Sequence, residues 1–126
     1  MPALNLEGKR ILIVEDDDMS YILLSQILKL TKGEILRAKN GREALRLYTN
    51  DPGIDLVLMD IQLPDINGKT VTSEMIAHNN NIPIIAQTAG KTPQEIDTAM
   101  AAGCSAVLIK PFKMEELMDI LKRYLQ

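Results

Sequence analysis

The sequence predicts an α/β fold, in which a parallel sheet of five strands is covered by helices on both faces. Strand and helix patterns alternate five times along the chain, which is typical of a parallel sheet with crossover helices. The strand segments are short aliphatic runs, as expected of strands that are buried on both faces. A length of 126 residues, 46% of them apolar, suits one domain with a sizeable core. We predict that this domain covers residues 9–126 and that residues 1–8 are a lead-in.

The positions of the predicted elements follow from their residue patterns. Strands are predicted at residues 9–14, 34–38, 56–60, 82–87 and 106–109, and helices at residues 19–30, 40–50, 68–78, 92–103 and 113–125. Asn40 and Thr92 are suited to cap their helices, and Pro93 suits a first helical position. The second strand is half polar, which favours the edge of the sheet. In the first helix, the residues predicted to face the sheet are Met19, Leu23, Leu24, Ile27 and Leu28.

The composition argues against several classes of protein. The net charge of -3 and the pI near 5.1 leave no basic stripe, so nucleic acid is not an expected partner. Apolar runs are too short to span a bilayer and no signal peptide is recognisable, so no membrane contact is expected of this domain. Cys104 is the only cysteine, which fits a reducing cytoplasm. His78 is the only histidine, which argues against a histidine-rich metal site or a Ser-His-Asp triad.

Polar side chains of a particular kind stand at the ends of four predicted strands. The first strand runs into Glu15 and Asp16, and the third ends on Asp60. The fourth strand is followed by Thr88 and the fifth by Lys110. Because the carboxyl ends of parallel strands share one edge of the sheet, these five side chains are expected to converge there.

Each of these residues also has a simpler explanation. Asp60 could merely cap its strand or the next helix, and Thr88 could be an ordinary cap. Lys110 could be a solvated strand tip. Helix capping could explain one or two of the four carboxylates at residues 15–18, but not all of them. The coincidence of five such residues at strand ends favours a functional site.

Converging carboxylates need a cation, and the residue types indicate which one. A set of oxygen ligands without histidine or cysteine favours Mg²⁺. A metal beside a carboxylate, a hydroxyl and an ammonium suits phosphoryl transfer, with Asp60 attacking phosphorus to give an acyl phosphate. Lys110 and Thr88 would then neutralise and position the oxygens of the transferred group.

These motifs resemble the receiver domains of two-component response regulators. The resemblance runs from about Lys9 to Leu125, in the family's order and spacing. It is carried by Val14-Glu15-Asp16, Met59-Asp60-Ile61-Gln62-Leu63-Pro64 with Gly68, Thr88-Ala89 and Lys110-Pro111-Phe112. The resemblance implies a flavodoxin-like fold with the strand order 2-1-3-4-5. It also implies that Asp60 accepts phosphate from a phosphohistidine.

The resemblance assigns the metal ligands and the partners as well. Glu15 and Asp16 would organise Mg²⁺, with Asp16, Asp60 and the backbone carbonyl of Gln62 as direct ligands. The phosphohistidine would belong to a histidine kinase, to its dimerisation and phosphotransfer domain, or to a histidine phosphotransfer protein. The implied activity is self-phosphorylation and self-dephosphorylation of a cytoplasmic signalling domain, not enzymatic turnover.

Three further features follow from the same comparison with the family. Thr88 would bond the phosphoryl group, Lys110 would pair with it, and the Lys110-Pro111 peptide would be cis. Many receivers carry Tyr or Phe three residues before the lysine as a rotamer switch, whereas this chain has Val107. The phosphorylation chemistry is unaffected by this difference, but the usual route for its readout is in doubt. The lead-in and the first helix resemble receivers that are fused to hybrid histidine kinases.

Three other classes of protein remain as alternatives. A receiver-like interaction module that is not phosphorylated would show damage at one of the five strand-end positions. A haloacid-dehalogenase-type phosphatase would place its nucleophile after the first strand, in an Asp-x-Asp pair, whereas Asp60 is on the third strand. A flavin binder would need donors for the flavin phosphate where this chain has carboxylates.

Overall fold

A computed structural model describes residues 4–90 and 92–126, which form a five-stranded parallel sheet with five helices. The strands are β1 (Arg10–Val14), β2 (Glu34–Ala38), β3 (Leu56–Asp60), β4 (Ile84–Thr88) and β5 (Ala106–Ile109). The helices are α1 (Asp18–Lys29), α2 (Gly41–Asn50), α3 (Gly68–His78), α4 (Pro93–Ala101) and α5 (Met114–Leu125). The strand order is β2-β1-β3-β4-β5, which confirms the flavodoxin-like topology and the position of β2 at an edge.

All element ends lie within two residues of the prediction, and the start of β4 shows the cause of one of these differences. This strand begins at Ile84 and not at Ile82, because Pro83 has no N–H to give to the sheet. Pro83 contributes only its carbonyl, which accepts from the N–H of Val57 at 3.0 Å. At the end of α4, Gly103 adopts a φ of +117°, in a region that side chains other than glycine rarely enter.

The helices divide the core into two layers, one on each face of the sheet. Helices α2, α3 and α4 bury side chains such as Tyr48, Met75 and Ala99 against one face. Helices α1 and α5 bury side chains such as Leu28 and Leu117 against the other face. Every residue of β3 is buried, which confirms that this strand is covered on both faces.

Helix α1 faces the sheet with a different set of residues from the one predicted. Leu24 and Leu28 are buried as expected, but Met19 is 67% exposed and Leu23 is 61% exposed. The inward stripe includes the small polar residue Ser25, whose hydroxyl donates to the carbonyl of Ile22 at 2.9 Å. Apolar residues occur almost all round this helix, so their positions alone do not define which stripe is buried.

The described part of the predicted lead-in packs onto the domain. Leu6 is buried in the layer formed by α1 and α5, and its N–H donates to the carbonyl of Thr31 at 2.6 Å. The N–H of Lys9 donates to the carbonyl of Leu6 at 2.9 Å. This segment therefore closes the core below α1.

An ionic cluster around Arg10 joins the amino ends of three strands. Its Nη1 donates to both carboxylate oxygens of Asp51, at 2.7 and 2.6 Å. Its Nε donates to Glu34 at 3.2 Å, and its backbone N–H donates to the carboxylate of Asp55 at 2.8 Å. This cluster, which we call the Arg10 cluster, links the starts of β1 and β2 to the loop before β3.

The single cysteine is part of the core. Cys104 is a free thiol buried near Thr72, and burial raises the pKa of the Cys104 thiol. The thiol is therefore less nucleophilic than an exposed one, which agrees with its interpretation as a small apolar residue. Among the helices of the described residues, none is long and apolar enough to cross a bilayer.

Candidate functional site

The carboxyl edge of the sheet brings the five predicted side chains to one place. β3 pairs with β1 through Met59 and Val14, so Asp60 lies next to the start of the acidic segment. On its other side, Asp60 pairs with Gln87 of β4, and Thr88 pairs with Ile109 of β5. The parallel register therefore places the ends of the four strands side by side, as the sequence predicts.

Asp60 lies at the centre of this edge and is only 6% exposed. Its Oδ1 accepts a hydrogen bond from the backbone N–H of Gln62 at 3.0 Å. Its Oδ2 lies 3.5 Å from Nζ of Lys110. The carboxylate is thus held in a fixed orientation by a donor on one oxygen and a cation beside the other.

Gly68 makes the tight turn after β3 possible. Its N–H donates to the carbonyl of Ile61 at 2.9 Å, which starts α3 directly above the end of the strand. A Cβ on Gly68 would lie 2.7 Å from Cα of Ile61 and would press on the carbonyl oxygen of Asp60. Only glycine lets the two backbones approach this closely.

Glu15, Asp16 and Asp60 form an acidic cluster around the centre of the site. Each offers a carboxylate oxygen within 4.8 Å of the other two. Nζ of Lys110 lies 3.4 Å from Oε1 of Glu15, which is 1% exposed. Burial, together with the neighbouring carboxylate of Asp60, raises the pKa of Glu15 to about 7, although Lys110 opposes the shift. The cluster thus carries more negative charge than Lys110 can balance.

The other two carboxylates of the acidic run have structural roles. Asp17 caps α1, and its carboxylate accepts from the N–H of Ser20 at 2.8 Å. The hydrogen bonds from Ser20 lower the pKa of Asp17. Asp18 forms an ion pair with Arg37 at 2.8 Å. Capping and pairing therefore explain two of the four carboxylates, and the site explains the remaining two.

Thr88 and Lys110 flank Asp60 on the side of β4 and β5. The hydroxyl oxygen of Thr88 accepts from the N–H of Gly90 at 3.0 Å, so its own hydrogen remains free to donate. The N–H of Lys110 donates to the carbonyl of Thr88 at 2.8 Å, which joins the two strand ends. The peptide between Lys110 and Pro111 is cis, as the resemblance implies.

The last two predicted residues lie at the margins of the site. Gln62 is exposed, and its N–H holds Asp60 as described above. Val107 of β5 is half-buried opposite Ala86 and packs against the core layer of α2, α3 and α4. It stands on the strand that ends at Lys110, where the family's aromatic residue would be.

Three residues near the site were not predicted from the sequence. Arg37 donates to the carbonyl of Glu15 at 3.1 and 3.2 Å, and it stacks 4.3 Å from the centre of the Tyr21 ring. Gln87 is buried beside Asp60, and its Nε2 has no hydrogen-bond partner among the described residues. The sequence signal that could have identified Gln87 is its polar side chain at the end of an otherwise aliphatic strand. The third residue is Glu95, whose carboxylate covers the backbone of Gly90.

Comparison with known proteins identifies the family. The response regulator receiver domain family matches residues 11–122, and the chain belongs to this family. Regulatory protein AtoC of Escherichia coli strain K12 is 39% identical over 126 residues, which are 100% of this chain and 26% of AtoC. The chain therefore spans about a quarter of that relative's length.

Solved structures agree with the family in fold. The receiver domain of sensor histidine kinase PA1611 from Pseudomonas aeruginosa PAO1, which holds a magnesium ion in its active site cleft, is 32% identical, with a TM-score of 0.85. The match covers 94% of this chain and 98% of that chain. A second match is in the co-crystal structure of the Saccharomyces cerevisiae phosphotransfer protein Ypd1 and the receiver domain of Ssk1. It has 25% identity, a TM-score of 0.87, and coverage of 99% of this chain and 92% of that chain.

Proposed function

We propose that Asp60 accepts a phosphoryl group from a phosphohistidine, and that this chain passes the group on or loses it by hydrolysis. The observation that carries the proposal is a buried carboxylate held between the N–H of Gln62 and the ammonium of Lys110. Two further carboxylates lie beside it. We place the domain in the cytoplasm, as a phosphoacceptor that modifies itself and not as a turnover enzyme. Residues 9–126 would form the receiver and residues 1–8 its lead-in.

The transfer step uses the groups that surround Asp60. A carboxylate oxygen of Asp60 forms a bond to phosphorus while the bond from phosphorus to the imidazole nitrogen breaks, and its electron pair stays on the nitrogen. Lys110 is placed to neutralise the charge that spreads over the phosphoryl oxygens. The hydroxyl of Thr88 donates its free hydrogen to one of these oxygens. The N–H of Gln62 keeps the carboxylate oriented throughout.

The acidic cluster fits a bound Mg²⁺. Three carboxylates each offer an oxygen within 4.8 Å of the other two, and burial together with the carboxylate of Asp60 raises the pKa of Glu15. A second cation beside Lys110 would favour the ionised form of all three. Asp16, Asp60 and the backbone carbonyl of Gln62 would be the ligands, and Glu15 would organise them. Mg²⁺ in such a site neutralises the phosphoryl oxygens and those of the acceptor. The magnesium ion in the PA1611 receiver supports this assignment.

We propose that the exposed apolar face of α1 binds the helical domain that carries the phosphohistidine. Met19, Ile22 and Leu23 are exposed within the first two turns of α1, directly after the acidic segment. Exposed apolar side chains that lie close together mark interaction sites. A helix that packs on this face would lie close to the acidic segment that joins β1 to α1. The complex of Ypd1 with the Ssk1 receiver supports a histidine phosphotransfer protein as partner, and a histidine kinase is the other candidate donor.

Phosphorylation by a small donor tests the proposal directly. Incubation with acetyl phosphate and Mg²⁺ is expected to add one phosphoryl group, measured by intact mass. Asp60→Asn should abolish the label, chelation of Mg²⁺ should prevent it, and Asp16→Asn should slow it about tenfold or more because a metal ligand is lost. Continued labelling of Asp60→Asn would overturn the assignment of the acceptor.

The same experiment separates the alternatives. A parent chain that takes no label would support an interaction module that is not phosphorylated. Repeated turnover of a phosphate ester such as p-nitrophenyl phosphate would support a phosphatase. Neither outcome is expected, because Asp60, Thr88 and Lys110 are assembled and the acceptor lies on β3.

A further inference from the structure

Gly90 and Glu95 form an arrangement that the transfer step does not use. Gly90 lies two residues after Thr88, and its N–H donates to the Thr88 hydroxyl at 3.0 Å. A Cβ built on Gly90 would coincide with the carboxylate of Glu95, which projects from the first turn of α4. The carboxylate of Glu95 therefore fills the space that a side chain at position 90 would occupy.

This carboxylate lines a cavity that also contacts Gln62 and Thr88, the two residues that flank Asp60. The cavity has a volume of about 730 Å³, and its lining includes Gln62, Lys69, Thr88, Gly90 and Glu95. The N–H of Gln62 binds the acceptor carboxylate, and the hydroxyl of Thr88 is the proposed ligand of the phosphoryl group. Glu95 thus lines the same cavity as the two residues that flank Asp60, and water in this cavity has access to that side of the site.

We propose that Glu95 is a positioning residue for hydrolysis of the phosphoryl group on Asp60, and that it sets the lifetime of the phosphorylated form. The inference rests on the proposed function. The carboxylate accepts a hydrogen bond from the attacking water and turns a lone pair of that water towards phosphorus. In a chain with a larger residue at position 90, the side chain of that residue would occupy the space that the carboxylate of Glu95 fills here.

The hydrolysis step balances with these groups alone. The water oxygen forms a bond to phosphorus as the bond between phosphorus and the Asp60 oxygen breaks. The electron pair of that bond returns to the carboxylate of Asp60. The proton that the water loses passes to an oxygen of the phosphoryl group, while Glu95 only orients the water, and dihydrogen phosphate leaves through the cavity.

Substitution of Glu95 leaves the start of α4 intact. Its backbone N–H, not its side chain, donates to the capping hydroxyl of Thr92 at 3.2 Å, and Pro93 occupies the first turn. Asp97, exposed on the same helix and not among the residues that line the cavity, provides a control with an equal loss of charge. Changes in decay can therefore be separated from changes in helix stability or net charge.

The test measures decay of the phosphorylated form after acetyl phosphate has been removed. The half-life of the phosphorylated form should rise about fivefold in Glu95→Gln and in Glu95→Ala. Removal of a fully buried catalytic base slows a reaction about 10²-fold or more, and the smaller effect is expected because Glu95 is exposed. Gly90→Met, which displaces the carboxylate, should lengthen the half-life too. Asp97→Asn should decay like the parent. Sodium formate should speed decay in Glu95→Ala relative to sodium chloride, because formate can enter the space of the lost carboxylate.

The outcomes separate this inference from the proposed function. A parent chain without label refutes the proposed function, and the role of Glu95 falls with it. If the parent is labelled and Glu95→Gln loses its phosphoryl group as fast as the parent or faster, the role of Glu95 is refuted and the proposed function stands. Slower decay that formate does not restore in Glu95→Ala would assign the effect to structure and would also overturn the positioning role.

Discussion

At the scale of single residues, each carboxylate of the acidic run has its own environment. Asp17 stabilises α1 as its cap, whereas burial and the neighbouring carboxylate of Asp60 disfavour the ionised form of Glu15. The pKa of Asp17 is lowered by its hydrogen bonds to Ser20, and that of Glu15 is raised to about 7 by burial and by Asp60. Neighbouring residues of the same type therefore contribute to stability with opposite signs.

The raised pKa of Glu15 predicts how stability depends on pH in metal-free buffer. Between the ordinary value of 4.5 and about 7, the folded chain holds a proton that the unfolded chain releases. Stability contributed by this group is therefore present at low pH and is lost as the pH rises through that window. Glu15→Gln cannot ionise, so its melting temperature relative to the parent should rise by about 5 °C between pH 4.5 and pH 8.

Thermal unfolding of both proteins across this pH range checks the expectation. Because other groups titrate in both proteins, only the difference between the two melting temperatures is compared. A constant difference would show that Glu15 ionises in the folded chain as it does in the unfolded one. Saturating Mg²⁺ should favour the ionised form of Glu15 and stabilise the parent more at pH 8 than at pH 6.

At the scale of elements, α1 packs into the core on one side and presents, on the other, the face that we propose as a docking surface. Leu24 and Leu28 anchor it to the sheet, while Met19, Ile22 and Leu23 leave an apolar face open beside the site. Covering such a face with a partner is favourable by about 25 cal/mol per Å² of apolar surface removed from water, before the costs of association. The exposed stripe is therefore a source of affinity that does not depend on Asp60 itself.

Substitutions on α1 should separate partner docking from phosphorylation chemistry. Leu23→Glu places a charge in the exposed apolar face, and it should slow transfer from a phosphorylated histidine phosphotransfer protein at least tenfold. Labelling by acetyl phosphate should be unchanged, because the small donor needs no docking surface. Leu30→Glu is the matched control, since Leu30 is 62% exposed at the far end of the same helix. Equal transfer rates in both variants would place the docking surface elsewhere.

At the scale of the whole molecule, the alternation of strand and helix determined most of what could be predicted. The five strands, the edge position of β2 and the convergence of Asp60, Thr88 and Lys110 follow from apolar runs that end in polar residues. The strand order came from the resemblance to receivers and not from the pattern. The parallel sheet itself was predictable because the alternation of strands and helices allows few topologies.

Two features could not be predicted, for physical reasons. The buried stripe of α1 depends on small rotations of a helix that is apolar nearly all round, so Met19 and Leu23 were wrongly placed in the core. The position of Glu95 over Gly90 depends on how a loop folds back on a helix that begins after it. Contacts of this kind join side chains from different elements, and they leave no periodic pattern in the sequence.

Val107 leads to a prediction about how far a phosphorylation signal travels. A valine has a single, stiff side-chain torsion, and Val107 is packed between the sheet and the helices of its layer. It should keep one rotamer whether or not Asp60 is phosphorylated, so shifts should pass through the loop after Thr88 and the start of α4. Amide chemical shifts with and without beryllofluoride would show this, with large changes near the site and at the start of α4, and small ones on the rest of α4, on β5 and on α5. Changes of equal size on that distant surface would contradict the prediction.

The Arg10 cluster has a practical consequence for handling the protein. It lies at the amino ends of β1 and β2, and so at the edge of the sheet opposite the acidic cluster. Glu34 is exposed there, and Glu34→Cys would introduce an accessible thiol for a dye or a surface linker, since Cys104 is buried. A chain immobilised through that end would present its phosphate-accepting edge and the open face of α1 to the liquid. A biosensor for kinases or phosphotransfer proteins could be oriented in this way without occupying either surface.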